Sequence, residues 1–333
     1  MREEEAGPGR GTGAPTCTGR QGVPVSVTIR FLDTPADFVE VERAQQSIWV
    51  GSDLEVVPTH LLATAAHNGG FLAGAFPREQ GGLDRGGEQG APEGTRPPGE
   101  VLPGRPTAPR LMGFVFGFLG IEEYGPHARQ LKHCSHLLGV LPEFRDRGVG
   151  FLLKQAQREF VLGQGIDLIT WTFDPLESRN AHLNLTRLGA IARRYRREVY
   201  GSMRDDLNRG MPSDRFEVEW WIRSERVSRR MLDSPPSEET HAPCVNLTRL
   251  VDGYLRPVSW QLPTRGDRVA VEVPAQFRRM TQENRSLALQ WRLHLREIFE
   301  AMFAEGWVAE ELWDRTREDP ARARYLLRKT PER

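Results

Sequence analysis

Residues 140–150 read VLPEFRDRGVG, and they join an apolar segment to a helical pattern. The preceding residues 131–140 predict a β-strand, and three apolar side chains at four-residue spacing predict an amphipathic helix over 151–162. A glycine turn that opens a helix presents free backbone N–H groups at the positive end of the helix dipole. Because such an end attracts anions, this stretch favours a site for a phosphate or pyrophosphate.

Two other interpretations of the turn can be weighed on spacing alone. It is not a P-loop, because no Gly-Lys-Ser/Thr follows the glycines. A dinucleotide-binding fold requires an acidic residue about 20 positions further on, and Asp174 follows Gly150 by 24 residues. Spacing therefore leaves open a dinucleotide site, an isolated pyrophosphate site or a plain strand–helix turn.

Strand and helix patterns extend from this turn in both directions and predict a mixed α/β fold. Two segments rich in Gly and Pro lack the apolar residues needed to fold, and they predict disorder. The predicted organisation is a disordered tail at 1–22, a domain at 23–222 with a disordered insertion at 77–109, a linker at 223–245 and a C-terminal accessory domain at 246–333. An apolar stripe within 287–302 favours a core helix, with a homodimer interface as the alternative.

The composition argues against several classes of protein. The 45 Lys and Arg residues balance 45 Asp and Glu residues, whereas a nucleic-acid-binding protein normally has an excess of positive charge. No apolar run reaches the length of a membrane span, and the acidic start has no secretory pattern, so we predict a cytoplasmic protein. Three widely spaced cysteines predict neither a disulfide framework nor a zinc site, and no metal is expected.

The glycine turn also resembles a known motif. Arg145-x-x-Gly148-x-Gly150, preceded by Val140-x-Pro142-Glu143-Phe144, is similar to motif A of the GNAT superfamily of N-acetyltransferases. The predicted strand at 168–173 and the helix at 180–190 resemble motif B, and the resemblance covers about half of the chain. Residues 200–201, 212–215 and 218–221 resemble a bacterial acyltransferase subgroup that carries an extra C-terminal domain. The resemblance implies a mixed, mainly antiparallel sheet flanked by helices, with a smaller α/β C-terminal domain.

The resemblance implies a site for acetyl-CoA or another acyl-CoA as co-substrate. In such proteins the strands at 131–140 and 168–173 splay apart, and the thioester enters the cleft between them. The first strand would pair with the pantetheine arm through the backbone of Leu138 and Val140, and Ser178 stands where an Asn often contacts that arm. The residues implied to hold the pyrophosphate are Arg145 and the backbone amides of Arg147, Gly148, Val149 and Gly150.

The sequence signals for the general base and for the acceptor pocket are less specific than those for the coenzyme. His136 is a candidate general base because its ordinary pKa suits proton abstraction, although a histidine bonded within the sheet is the simpler interpretation. Glu219 is a second candidate base, and Glu217 is an equal one on the same face. By resemblance, the acceptor pocket would include Ser213, Asp214 and Arg215.

Two features leave the chemistry open. Leu185 replaces the Tyr that many family members use to protonate the leaving thiolate, and Tyr195 or Tyr200 could substitute for it. A basic run over 187–197, with Arg204 just beyond it, fits a solvated face, or a contact to a phosphate or carboxylate. We expect an N-acyltransferase in which the amine of a small molecule or amino acid attacks an acetyl or other short acyl thioester directly, in a ternary complex. The alternative is a non-catalytic acyl-CoA-binding sensor or structural module.

Overall fold

The structure is a computed structural model of the 333-residue chain. It describes residues 26–49, 56–78, 110–123, 128–201, 210–232, 242–314 and 321–330. The tail predicted at 1–22 lies outside the described residues, and so does most of the insertion predicted at 77–109.

The first half of the chain folds into the strands and helices predicted from its sequence. In chain order they are β1 (Val27–Phe31), α1 (Pro35–Ile48), α2 (Thr59–His67), β2 (Phe71–Pro77), β3 (Gly113–Glu123), β4 (Arg129–Val140), α3 (Val149–Gly163) and β5 (Leu168–Phe173). Helix α1 begins at a capping box, in which Thr34 and Asp37 each accept a hydrogen bond from the other's backbone N–H. The elements predicted at 131–140, 151–162 and 168–173 begin and end within two residues of those bounds.

The second half contains several elements that the sequence patterns did not predict. In chain order it forms α4 (Ser178–Ala181), a π-helical turn (His182–Arg187), β6 (Ile191–Arg196), β7 (Arg215–Trp221), α5 (Glu225–Met231), β8 (Asn246–Val251), β9 (Tyr254–Trp260), β10 (Arg268–Pro274), α6 (Phe277–Glu283), α7 (Arg285–Ala304), β11 (Trp307–Asp314) and β12 (Arg322–Lys329). The unpredicted elements are β6, α5, α6 and the hairpin of β8 and β9. Helix α5 lies within the predicted linker, where Ser224 caps it and Val227 is buried.

Ten strands form one sheet in the order β1-β2-β3-β4-β5-β7-β6-β11-β12-β10. Neighbouring strands are antiparallel except for β4 and β5, which run parallel. The dinucleotide-binding interpretation is therefore wrong, because that fold requires a mostly parallel sheet. A mixed, mainly antiparallel sheet agrees with the fold that the motifs implied.

Helices cover both faces of the N-terminal part of the sheet. On one face, Phe38 and Val41 of α1 pack against Phe114 and Phe116 of β3. On the other face, Leu152 and Leu153 of α3 pack in a separate cluster with the opposite side of β2 and β3. Both faces are apolar, which explains why β2 is buried over six consecutive residues rather than at alternate ones.

The C-terminal part of the chain continues the same sheet. Strand β11 joins β6 through the pair Ala309 and Ala192. The ring of Phe216 on β7 lies edge-on to Phe299 of α7, with 4.6 Å between the ring centroids. The division into a 23–222 domain and a 246–333 domain stays a prediction, and the structure adds that the two segments share one sheet and one apolar core.

Candidate active site

A cleft opens where β4 and β5 separate. The two strands are bridged at His133–Ile169 and Cys134–Thr170, and β4 then continues to Val140 without further pairing to β5. On its other side β4 stays paired with β3, apart from a bulge opposite Phe116 and Gly117. The edge of β4 that faces β5 therefore offers backbone groups from Ser135 to Val140, including the predicted contacts Leu138 and Val140, to an extended ligand.

The glycine turn forms the N-terminus of α3 at the end of this open edge. Gly148 is the N-cap residue, with a φ of 78° in the left-handed region, and the first helical bond runs from the N–H of Leu152 to its carbonyl at 3.1 Å. The N–H groups of the first turn, including those of Val149 and Gly150, have no acceptor within the helix. These N–H groups can therefore donate to a ligand, and anion binding at this turn stays a prediction.

Two arginines flank the turn. Arg145 and Arg147 are exposed, and Arg145 donates from Nε to the carbonyl oxygen of Val140 at 3.2 Å. Asp146, between them, has a positive φ of 62° and forms an ion pair with Arg179 at 2.8 Å. Both arginines thus precede the turn directly in the chain and add positive charge to this part of the surface.

The segment that follows β5 contains Ser178 and Leu185, two positions that the resemblance singled out. Ser178 begins α4, where its hydroxyl is buried and has no hydrogen-bond partner in the described part of the chain. Such an orphaned hydroxyl is expensive unless a ligand satisfies it. Leu185 is fully buried in the apolar core, so nothing at this position can donate a proton to the cleft.

A cavity of about 250 Å³ lies at the point where the strands separate. Its lining combines polar, aromatic and charged side chains: Lys132, Cys134, Ser135, His136, Thr170, Trp171, Thr172, Tyr200 and Glu217. Strands β4, β5 and β7 supply all but one of these residues, and Tyr200 comes from the segment after β6. The predicted anion site and this cavity therefore lie along the same strand, β4.

His136 lies at the rim of the cavity, on the bulged part of β4. Its ring packs against Phe116 and Phe118, with centroid distances of 6.0 and 5.7 Å. Partial burial lowers the pKa of His136 below its ordinary value, which favours the neutral imidazole that can accept a proton. Cys134, a weaker candidate for this role, has a pKa raised by burial and stays a protonated thiol.

The two candidate glutamates on β7 have different surroundings. Glu217 lines the cavity and accepts hydrogen bonds from Arg194 and Arg196 at 2.9 and 2.7 Å. Glu219 is buried, receives a hydrogen bond from the indole of Trp221 at 3.0 Å and pairs with Arg193 at 3.3 Å. The structure thus brings Glu217, and not Glu219, into the lining of the cavity.

An ion-pair network closes one side of the cavity. Glu122 of β3 accepts hydrogen bonds from Lys132 at 2.7 Å and from Arg194 at 2.9 Å. Burial alone would raise the pKa of Glu122, but these two cations hold it below its usual value. The basic run therefore includes internal partners for Glu122, Glu217 and Glu219, a role that neither interpretation of the run had included.

Of the three residues predicted to bind the acceptor, Ser213 and Arg215 contact Tyr200, and acceptor binding by the three stays a prediction. Ser213 accepts a hydrogen bond from the N–H of Tyr200 at 3.1 Å, and Arg215 lies 5.2 Å from its ring. Asp214 is fully buried, and the guanidinium of Arg296 holds its carboxylate at 2.8 and 2.9 Å. Tyr200, whose hydroxyl lies 2.8 Å from that of Thr172, lines the cavity, and Ser213 and Arg215 contact it there.

A buried polar cluster, not found from the sequence, lies behind the cleft. It consists of Lys154 and Gln157 on α3 and His133 and Ser135 on β4. Burial lowers the pKa of His133 to about 3, and its ring is neutral. Sequence patterns give no signal for this cluster, because Lys154 looks like an ordinary exposed position in an amphipathic helix.

Gly117→Ala is expected to destabilise the fold through this cluster. A Cβ atom at residue 117 would lie 2.3 Å from Nε2 of His133 and 2.7 Å from the carbonyl oxygen of Cys134. Because the second contact is with backbone, the strand itself must shift, and such overpacking costs about 1–3 kcal/mol. Urea unfolding measures the loss. Gly163→Ala is the control, since a Cβ there meets nothing within 4 Å; equal unfolding midpoints for the two variants would contradict this account.

The described residues hold no group of three or more His, Cys, Asp or Glu side chains that could bind a metal ion. None of the helices in the described part of the chain has the length and apolar character needed to cross a membrane. Cys134 and Cys244, the cysteines in that part of the chain, are free thiols.

No protein-family model matches the chain, and no curated protein matches it. Among solved structures, Chaetomium thermophilum Naa20 in complex with a bisubstrate analogue is similar at a TM-score of 0.41 and 13% identity, over 64% of this chain and 93% of that one. Arabidopsis thaliana NAA60 in complex with acetyl-CoA is similar at a TM-score of 0.41 and 14% identity, over 60% of this chain and 99% of that one. The ribosomal-protein-S18-alanine N-acetyltransferase from Escherichia coli is similar at a TM-score of 0.39 and 12% identity, over 59% of this chain and 94% of that one.

The fold follows from the order and pairing of the chain's own strands. The splay between β4 and β5 follows a single short parallel contact, and the glycine turn opens α3 at the far end of β4. The described residues thus have the mixed, mainly antiparallel sheet with a splayed central pair that the resemblance to the GNAT superfamily implies.

Proposed function

We propose that the protein is an acyl-CoA-dependent N-acyltransferase of the GNAT superfamily. One observation carries the proposal: a single open strand edge connects an anion-binding helix terminus to a polar cavity. A long ligand with a pyrophosphate at one end and a reactive group at the other matches this arrangement. Coenzyme A thioesters have both features, joined by an extended arm that can pair with a strand edge.

The residues of the cleft fit an acyl-CoA donor. The N–H groups at the start of α3, with Arg145 and Arg147, would hold the pyrophosphate. The open backbone of β4 at Leu138 and Val140 would pair with the amides of the pantetheine arm. The orphaned hydroxyl of Ser178 is a further polar group that such a ligand can satisfy.

The cavity side would bind the acceptor. Glu217 places a carboxylate in the lining, which suits an ammonium group before it loses its proton. His136, neutral at the cavity rim, would remove that proton so that the amine can attack the thioester carbonyl. At about 250 Å³ the cavity suits the amine end of a small molecule or amino acid, which we propose as the acceptor class. A cytoplasmic location and a homodimer stay predictions from the sequence.

Titration calorimetry with acetyl-CoA, CoA and NAD tests the donor site. Binding of the two CoA compounds, and not of NAD, is the expected result. A screen of small amines for release of free CoA thiol from acetyl-CoA then tests transfer. Failure of both CoA compounds to bind would overturn the proposal.

A second candidate is a non-catalytic acyl-CoA sensor. The observation that favours it is the burial of Leu185, which leaves the motif B position without a proton donor. Tight CoA binding without thiol release from any amine in the screen would support the sensor. Amine-dependent release would support the enzyme.

His136→Ala is expected to lower the rate of acyl transfer roughly 10²-fold, because a positioned base contributes at least that factor. The loss should be greatest at low pH, where the acceptor is most fully protonated and the lowered pKa of His136 still keeps the wild-type ring neutral. The pH profile of thiol release with the best amine of the screen measures it. His60→Ala, at an exposed position of α2, is the control. A wild-type profile for the His136 variant would remove this residue from the mechanism.

A further inference from the structure

Lys154 is buried without an anionic partner. The residue is 2% exposed, and its Nζ donates hydrogen bonds to Oγ of Ser135 at 2.7 Å and to Oε1 of Gln157 at 3.1 Å. The same Nζ lies 3.7 Å from the centroid of the Trp171 ring. Within the described residues, no carboxylate acts on Lys154, and burial lowers its pKa well below the ordinary value.

Such a lysine is costly to maintain. A Met side chain would fill similar space without a group to desolvate, and replacing buried charges by apolar residues is often neutral or stabilising. Local packing therefore gives no reason for an amine at residue 154. Buried groups of this kind are found preferentially at functional sites.

The cluster meets the cleft at the point where β4 and β5 part. Ser135 follows Cys134, the last residue of β4 that is bridged to β5, and it lines the cavity. Trp171, which packs on Nζ of Lys154, lines the same cavity from β5. Ser135 and Trp171 therefore link the buried amine to the cavity.

We propose that Lys154, acting through the hydroxyl of Ser135, stabilises the CoA thiolate that leaves during acyl transfer in this cleft. The inference rests on the proposed function. Ser135 would contact the sulfur, and Lys154 would position and polarise that hydroxyl. The pair would supply the proton that the residue at 185, a buried leucine, cannot supply.

In the proposed acyl-transfer step, the C–N bond to the amine forms, and the C–S bond breaks with its electron pair on sulfur. The hydroxyl proton of Ser135 passes to sulfur, and a proton from Nζ of Lys154 replaces it, leaving a neutral amine. The attacking amine gives up one proton to the base, which releases it to solvent, and Lys154 takes up one proton from solvent, so that both groups return to their starting states. Because Ser135 otherwise donates to Oε1 of Gln157 at 3.0 Å, its hydroxyl turns toward the cleft for this step.

Few other titratable groups face Lys154. His133 of β4 is neutral above a pKa of about 3, and the rings of Trp171 on β5 and Trp220 on β7 carry no charge. Cys134, on the strand beside Ser135, has a raised pKa and requires correction in any measurement of thiolate. Lys154 is thus the titratable group of this cluster that can exchange a proton with the hydroxyl of Ser135.

The test measures the thiol pKa of CoA bound to the full-length protein. The ultraviolet absorbance of the thiolate is titrated for the CoA complex, and the complex with desulfo-CoA is subtracted to remove protein thiols. In the wild type we expect a thiol pKa about 1 or more below that of free CoA in the same buffer, as a nearby cation and a hydrogen bond both favour the charged form. In Lys154→Met and in Ser135→Ala we expect the value of free CoA.

Two variants are used so that the test remains possible if one of them, Lys154→Met or Ser135→Ala, does not fold. Melting curves followed by circular dichroism show which of them are folded. Lys329→Met is the control, because Lys329 lies on β12 and does not line the cavity. This control should keep the wild-type thiol pKa. A lowered pKa that survives Lys154→Met, or that is also lost in Lys329→Met, overturns the inference. Absence of CoA binding by calorimetry overturns the proposed function as well, whereas binding with an unshifted thiol overturns this inference alone.

Discussion

Gly148→Val is expected to weaken CoA binding by about 10- to 100-fold while the protein stays folded. Gly148 holds a φ of 78°, which a β-branched residue adopts only at a cost of about 1–3 kcal/mol. A valine relieves that strain by moving to a negative φ, and the N–H groups of the first turn of α3 then point away from the cleft. Each 1.4 kcal/mol lost corresponds to a factor of ten in affinity.

Calorimetry with CoA measures this effect, and circular dichroism verifies the fold. Gly163→Ala, at the other end of the same helix, serves as the matched control because a Cβ there meets nothing within 4 Å. The control should bind CoA with the wild-type affinity. Wild-type affinity in Gly148→Val would show that the turn does not hold the ligand.

Asp174→Ala is expected to lower the free energy of unfolding by about 3–5 kcal/mol, because it leaves a buried guanidinium without its anion. Asp174 accepts two hydrogen bonds from Arg292, at 2.7 and 2.5 Å, and Arg292 is 2% exposed. Burial alone would raise the pKa of Asp174, but Arg292 holds it below its usual 3.8. The stabilisation is therefore complete above about pH 4 and is lost as the pH falls through the lower pKa of the folded state.

Urea unfolding at pH 7 measures the loss, and Asp167→Ala is the matched control. Asp167 and Asp174 flank β5 on either side, but Asp167 pairs with Arg223 at an exposed site, where such pairs contribute within about 1 kcal/mol. Adding Arg292→Met to Asp174→Ala should recover part of the stability, since it removes the unpaired charge. Equal losses for Asp167→Ala and Asp174→Ala would refute the assigned role of Arg292.

The strand, glycine turn and helix around Gly148 could be predicted because their signals are local: an apolar run, a glycine and a four-residue repeat. Strand β6 could not, because its sequence is IARRYR and lacks an apolar face. Its arginines take their partners from other strands, as when Arg194 bonds to Glu122 of β3 and Glu217 of β7. Only the folded sheet brings these charges together.

In the candidate site, too, some residues have a local sequence signal and others depend on partners that are distant in the chain. His136 could be chosen from the sequence because it lies on the strand that leads into the motif. Asp214 was chosen by resemblance, yet it is buried against Arg296 of α7, 82 residues further along the chain. Lys154 and Ser135 were missed because their pairing depends on how α3 packs on β4, which no local pattern encodes.

The pairing of β11 with β6, at Ala309 and Ala192, limits where a strand of a second copy of the protein could join this sheet. Without β11, β6 would be an outer strand with unpaired N–H and C=O groups, open to the same strand of another molecule. The chain's own C-terminal segment occupies that position, and residues 243–245 bond to Ala270 on the outer edge of β10, so among the described strands of this sheet β1 is the one open to extension. An assembly built by strand addition would therefore join at that margin, away from the strands that form the cleft.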